Sequence, residues 1–141
     1  MSWIQKEILI PSKKRGFHLI TDEIYNQVNE ISDYKVGIVH LFIKHTSASL
    51  TINENADPTV RLDMESHFNQ MVPENAKYYM HTMEGPDDMP GHLKSVLIGS
   101  SVSISIYKGE FNLGMWQGIY MCEHRDHAYD RKIVATISGE R

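Results

Sequence analysis

The chain has 141 residues, 41% of them hydrophobic and 23% charged, with a formal net charge of −4 at pH 7. That length suits one domain spanning residues 1–141 with a self-sufficient core, and the composition excludes a disordered segment or a disulfide-stapled scaffold. An acidic balance offers no field for nucleic acid, and no apolar run approaches the roughly 18–20 residues needed to span a bilayer.

The opening MSWIQKEILIPSKK carries acids and amides where an export signal needs an apolar centre. Cys122 has no intrachain partner, so the reducing cytoplasm is the expected compartment. Ile4, Ile8 and Ile10 alternate with Gln5, Glu7 and Leu9, which predicts a first strand ended by Pro11. A helix follows, with Thr21 as N-cap and Ile24, Val28 and Ile31 at helical spacing before Ser32-Asp33. The run VGIVHLFI is apolar on both alternations, as expected of a strand buried on both faces.

After it comes HTSASLTINENADP, a run of hydroxyls, carboxamides and acids too long for an ordinary turn, which suggests a surface built to hold something. Asp57-Pro58 then gives a cap and a first-turn proline, and Val60, Met64, Phe68 and Met71 form the stripe of a helix over 58–71. Another helix is predicted from PGHLKSVLIG, with Asp88 or Met89 as cap and Gly99 at its end. SVSISIY turns at Lys108-Gly109 and returns through Leu113 to Met121 as a hairpin, and RKIVATIS faces that return across EHRDHAYD. Hairpins in place of helical crossovers make the expected class α+β with a largely antiparallel sheet and about three helices.

Three histidines stand in polar clusters at the ends of elements: His45, His81 and His92. Imidazole is the commonest protein ligand for zinc and its neighbours, so the three are candidate metal ligands, although their spacing does not oblige them to meet. A hydrogen-bonded core position suits His40, while His18 and His67 suit structural or exposed positions. His124 and His127 suit a solvated turn better than a metal clip. No nucleophilic triad, phosphate-binding loop or dinucleotide fingerprint is present, and Cys122 beside Glu123 reads as an inert core thiol. The predicted helix start at Pro90 exposes the N–H groups of Gly91 and His92, which suit a phosphate unless Asp88 caps them. Trp116 and Gln117, between glycines, suit a stacking surface and an amide in a pocket, or plain core.

Taken in order, HTSASLTINENADP, VPE, HTMEGPDDMPGHLKS, GSS, LGMWQGIYMCE and the closing ISGE resemble the YjbQ-like family, often labelled secondary thiamine-phosphate synthase. The resemblance implies an α+β fold with a sheet curled into a partial barrel, assembled as a homotrimer or a dimer of trimers. It implies a metal at His45, His81 and His92, and a polar pocket formed by Thr46, Ser47, Asn53, Asn55, Asp57, Trp116, Gln117 and Glu123, to which the helix start adds Gly91 as a substrate contact. Asp57 and Glu123 become the candidate catalytic carboxylates. The implied reaction joins a pyrimidine diphosphate to a thiazole phosphate; a metal-dependent binder without turnover and a metal-assisted hydrolase of a phosphorylated metabolite are the alternatives. Imidazoles favour Zn²⁺ or another transition metal, whereas diphosphate chemistry favours Mg²⁺. The segment HRDHAYDRK departs from the family pattern and could add His124 as a ligand.

Overall fold

A computed structural model describes residues 1–141 as an α+β fold of two antiparallel sheets and three helices. The larger sheet has five strands in the order β1-β8-β3-β5-β6, with β1 Ser2–Ile10, β3 Val36–Ile43, β5 Ser101–Tyr107, β6 Glu110–Phe111 and β8 Arg131–Glu140. The smaller has the order β2-β7-β4, with β2 Gly16–Leu19, β4 Ala48–Glu54 and β7 Gln117–Glu123. Every strand pair is antiparallel.

Alternation places the core on one face of the larger sheet. Ile8 and Ile10 from β1, Val39, Leu41 and Ile43 from β3, and Ile133 and Ile137 from β8 are all buried there. Leu50, Ile119 and Met121 reach into the same core from the smaller sheet, and Ile20, Ile24, Val28, Ile31 and Tyr34 close it. Each such aliphatic side chain contributes about 1.5–3 kcal/mol relative to exposure. Ile24 lies on α1 (Thr21–Gln27) and Ile31 on the 3-10 turn Asn29–Asp33, into which the single predicted helix divides, while Ile20, Val28 and Tyr34 flank these two segments. Thr21 is not a cap: its hydroxyl accepts the Ile119 N–H at 2.9 Å, tying α1 to β7.

The helix α2 spans Pro58–Met71 as predicted, with the Asp57 carboxylate accepting from Thr59 N–H. It rests on the small sheet through Phe68, whose ring centre lies 5.7 Å from that of Phe17. The helix α3 spans Asp88–Ile98, lies against β4 and ends at Gly99, whose φ of 107° only glycine adopts readily. No helix is long and apolar enough to cross a membrane.

Four sequence expectations change. β3 is buried on one face only: Val36, Ile38, His40 and Phe42 point outward and are exposed, so His40 is not a core histidine. The polar run after it is a strand, β4, because Ala48, Leu50 and Ile52 alternate with Ser49, Thr51 and Asn53 and pair with β7. The hairpin at Lys108-Gly109 is real but short. Its return ends at Phe111, and the chain then crosses to the other sheet as β7. β8 consequently pairs with β1 and β3, and not with β7.

His124 is buried beneath α3, not solvated, and its Nε2 lies 2.8 Å from the Ser49 hydroxyl. Burial, helped by the positive charges of Lys94 and Arg131, pushes its pKa down to about 3. As pH falls below about 6.5 the unfolded chain therefore takes up this proton first, and stability declines until about pH 3. Tm should fall as the pH is lowered through that window, this ring contributing no more than about 1.4 kcal/mol of stability per pH unit. His124→Gln should flatten this fall; a variant with the wild-type slope would show that the ring is not held neutral.

Candidate metal centre

Pro90 cannot donate a backbone hydrogen bond and belongs in a first helical turn, so α3 starts just ahead of it at Asp88. Four residues on, His92 falls on the same helix face. Its Nε2 lies 3.1 Å from Asp88 Oδ2. The segment between α2 and α3 brings His81 to the same place, with Nε2 at 2.7 Å from that same Oδ2. The ligand atoms of His81, Asp88 and His92 all lie within 4.8 Å of one another.

The hydrogen bonding on the far side of His92 decides what this arrangement means. Its Nδ1 lies 2.9 Å from the carbonyl oxygen of Thr46, which can only accept, so Nδ1 carries a proton. In the neutral ring Nε2 then presents a lone pair to a carboxylate oxygen, which is repulsive unless a cation or a second proton lies between them. A histidine that donates one ring N–H to a backbone carbonyl and turns the other nitrogen to a carboxylate has the usual poise of a metal ligand.

Asp88 is buried and has a second attachment. Its Oδ1 accepts from Arg125 Nη1 at 2.5 Å, while Arg125 Nε donates to Asp87 Oδ2 at 2.9 Å and Nη2 to the Glu84 carbonyl at 2.9 Å. Burial alone would raise the Asp88 carboxyl pKa, but the His81 hydrogen bond and the charges of His92 and Arg125 hold it below the ordinary range. Asp87 is likewise low despite burial, held by the Asp126 N–H and Arg125. Both carboxylates are therefore ionised at neutral pH. Two imidazoles and one carboxylate oxygen suit Zn²⁺, Fe²⁺ or a related ion, and His81 and His92 are partly open to solvent.

The predicted set of three histidines is corrected at one member. His45 lies outside this cluster: its Nε2 accepts the Lys132 N–H at 2.9 Å. Burial, with Arg131 nearby, lowers its pKa. Asp88 takes the third place. The expected phosphate seat is closed as well, because Gly91 N–H already donates to the Asp87 carbonyl at 3.0 Å. A Cβ at Gly91 would sit 3.4 Å from His124 Cβ and 3.5 Å from Ser47 Cβ, ordinary contact distances, so the start of α3 packs directly on these two residues. His124, bonded to Ser49, is not an added ligand.

The single pocket expected from the polar run divides into two places. Thr46 and Ser47 stand at the metal end of β4. Asn53, Asn55 and Asp57 stand at the other, about 20 Å away at roughly 3.3 Å per residue of strand. Asn53 bonds the Glu54 N–H, and Asn55 donates to the carbonyls of Met115 and Gln117. Gln117 accepts from Gly114 N–H, and Trp116 is exposed. Asn55 and Gln117 line a hollow with Thr21, Asp22 and Glu23, remote from the histidines. Asp57 is an exposed helix cap whose carboxyl is kept low by Thr59, and it touches no reactive group. Glu123 is fully buried in a two-point ion pair with Arg131, which also bonds Ser47, so it is a structural carboxylate and not a catalytic one.

Sequence reasoning missed Asp88 as a candidate ligand and missed Arg125, Asp87 and Arg131 altogether. The signal for Asp88 was its place four residues ahead of His92 on a helix, which was spent on a capping role; the N-cap is Asp87, and no side chain caps the helix.

The family model described as UPF0047 protein YjbQ-like matches residues 6–140. The UPF0047 protein YjbQ of Escherichia coli O157:H7 is 51% identical over 138 residues, covering 98% of this chain and 99% of that protein. The UPF0047 protein sll1880 of Synechocystis is 40% identical, covering 96% and 92%. A solved YjbQ/UPF0047 structure from Clostridium acetobutylicum is 37% identical with TM-score 0.79, over 92% of this chain and 97% of that one. A YbjQ-like protein of unknown function from Sulfolobus solfataricus shares the fold at TM-score 0.86 and 22% identity, covering 99% of each chain. None of these carries a synthase name, and the Sulfolobus protein is described as of unknown function. The expected thiamine-phosphate synthase activity is therefore corrected: the relatives give it no support, and the phosphate seat it relied on is closed.

The buried pair makes a direct prediction. Glu123→Ala strands the Arg131 guanidinium in the interior and should destabilise the protein by about 3–5 kcal/mol in denaturant unfolding. An unchanged midpoint would remove Glu123 from the structural framework.

Proposed function

The chain belongs to the YjbQ-like UPF0047 family, and from that premise we propose that its working site is a divalent transition-metal centre held by His81, Asp88 and His92, at which a small polar molecule is bound and activated. The observation that carries this reading is the convergence of two imidazole Nε2 atoms on one buried carboxylate oxygen, with the Nδ1 of His92 already committed to Thr46. Three protein ligands leave coordination positions open, as enzymes that use such metals do. A bound metal would supply Lewis acidity, polarising a ligand carbonyl or acidifying a bound water.

The chain's own groups shape what approaches. A hollow of about 220 Å³ beside His81 is lined by Asn75, Tyr79, Thr82, Gly85 and Met89, with no cationic side chain. That lining favours a small neutral molecule rich in hydroxyl or carbonyl groups over a polyanion.

We further propose that the protein assembles with copies of itself through the outer face of the larger sheet. Trp3, Val36 and Ile38 are 70%, 54% and 54% exposed there, beside Phe42. They border a groove of about 540 Å³ floored by Gly37 and Gly139. Apolar faces of this kind on soluble domains are commonly covered by a partner.

Zinc or cobalt titration of protein stripped with a chelator should show one equivalent bound, with affinity at least 100-fold weaker in His92→Ala and Asp88→Ala and unchanged in His45→Ala. Loss of binding in His45→Ala alone would overturn the ligand set. Light scattering after size exclusion should give a multiple of the chain mass, reduced by Ile38→Asp. A wild-type monomer would dismiss the assembly.

A further inference from the structure

We propose that Arg125 is the positioning residue of this centre: it occupies Asp88 Oδ1, so that the carboxylate meets the cation through Oδ2 alone. The proposal rests on the metal reading above and adds a statement about how the ligand is shaped.

Each oxygen of Asp88 has a separate task. Oδ1 is taken by Arg125 Nη1, and Oδ2 faces both histidine rings. A carboxylate on a single rotatable bond can swing, or present both oxygens to a cation; here the guanidinium blocks both. The fork is itself fixed at three corners, because Nε is bound to Asp87 and Nη2 to the Glu84 carbonyl. One planar cation thus joins two adjacent carboxylates and the loop before them, a geometry a lysine cannot reproduce.

Arg125 is anchored in turn. Its backbone N–H donates to Glu123 Oε2 at 3.1 Å, and Glu123 is locked by Arg131. The next residue, Asp126, donates its N–H to Asp87 Oδ2 at 2.9 Å. The turn between β7 and β8 is therefore built on a buried ion pair and presses a fixed guanidinium against the start of α3. A single oxygen beside two imidazoles disfavours Mg²⁺ and Ca²⁺, which collect several oxygens, and favours transition metals.

Cobalt titration of the full chain tests this, read by visible absorption and by competition with zinc. Arg125→Ala should bind about 10–100-fold more weakly, as loss of a group that orients a metal ligand does. Its cobalt spectrum should also change, because freed Oδ1 can enter the coordination sphere. Arg125→Lys should restore the charge but not the wild-type spectrum, and it serves as the test if the alanine variant does not fold. His127→Ala, exposed in the same turn, should match the wild type. Wild-type affinity and spectrum in both Arg125 variants would overturn the proposal, and so would weaker binding with an unaltered spectrum, which marks mere loosening. If the wild type itself takes up no cobalt, the metal reading fails first, and visibly so.

Discussion

A carboxylate that has been taken out of water must be answered by positive charge or by donors, and at Asp88 the answer comes from three directions at once. Arg125 reaches it from the turn between β7 and β8, His92 from one helical turn further along α3, and His81 from the preceding loop. Each of these brings its own segment with it. The helix, the loop and the turn all meet at this one side chain, while the sheets supply the rigid base against which they are held.

The second buried ion pair is part of that base. Glu123 and Arg131 stand at facing ends of β7 and β8, which belong to different sheets, and the pair bonds Ser47 at the start of β4 as well. Where the two sheets come together at this end, polar contacts do what aliphatic packing does elsewhere. An ion pair sealed from solvent adds little net stability, but its loss from one side is severe, so it fixes geometry more than it adds to the total.

Much of this architecture was legible from the sequence, and the parts that were not share a cause. α2 was readable because Asp57-Pro58 is a local signal for a helix start, and the end of α3 was readable because Gly99 is a local signal for a stop. β4 carried a period of two in Ala48, Leu50 and Ile52, masked by the polar residues between them. The outer face of β3 could not be read, because Val36, Ile38 and Phe42 look the same whether they face a core, a partner or water. At the site, His81 and His92 stood out by residue type. Asp88 did not, since a carboxylate at a helix start is ordinarily a cap, and Arg125 is brought in by folding across 37 residues.

His81, Asp88 and His92 fall within twelve consecutive residues, whereas the contacts that tune them arrive from Thr46 and Arg125, far along the chain. Closing so short a loop carries a small entropic penalty, so bringing the three side chains together asks little of the rest of the chain. The gathering of these side chains and the setting of their orientation therefore draw on different parts of the chain, the first on a single loop and the second on the finished sheets.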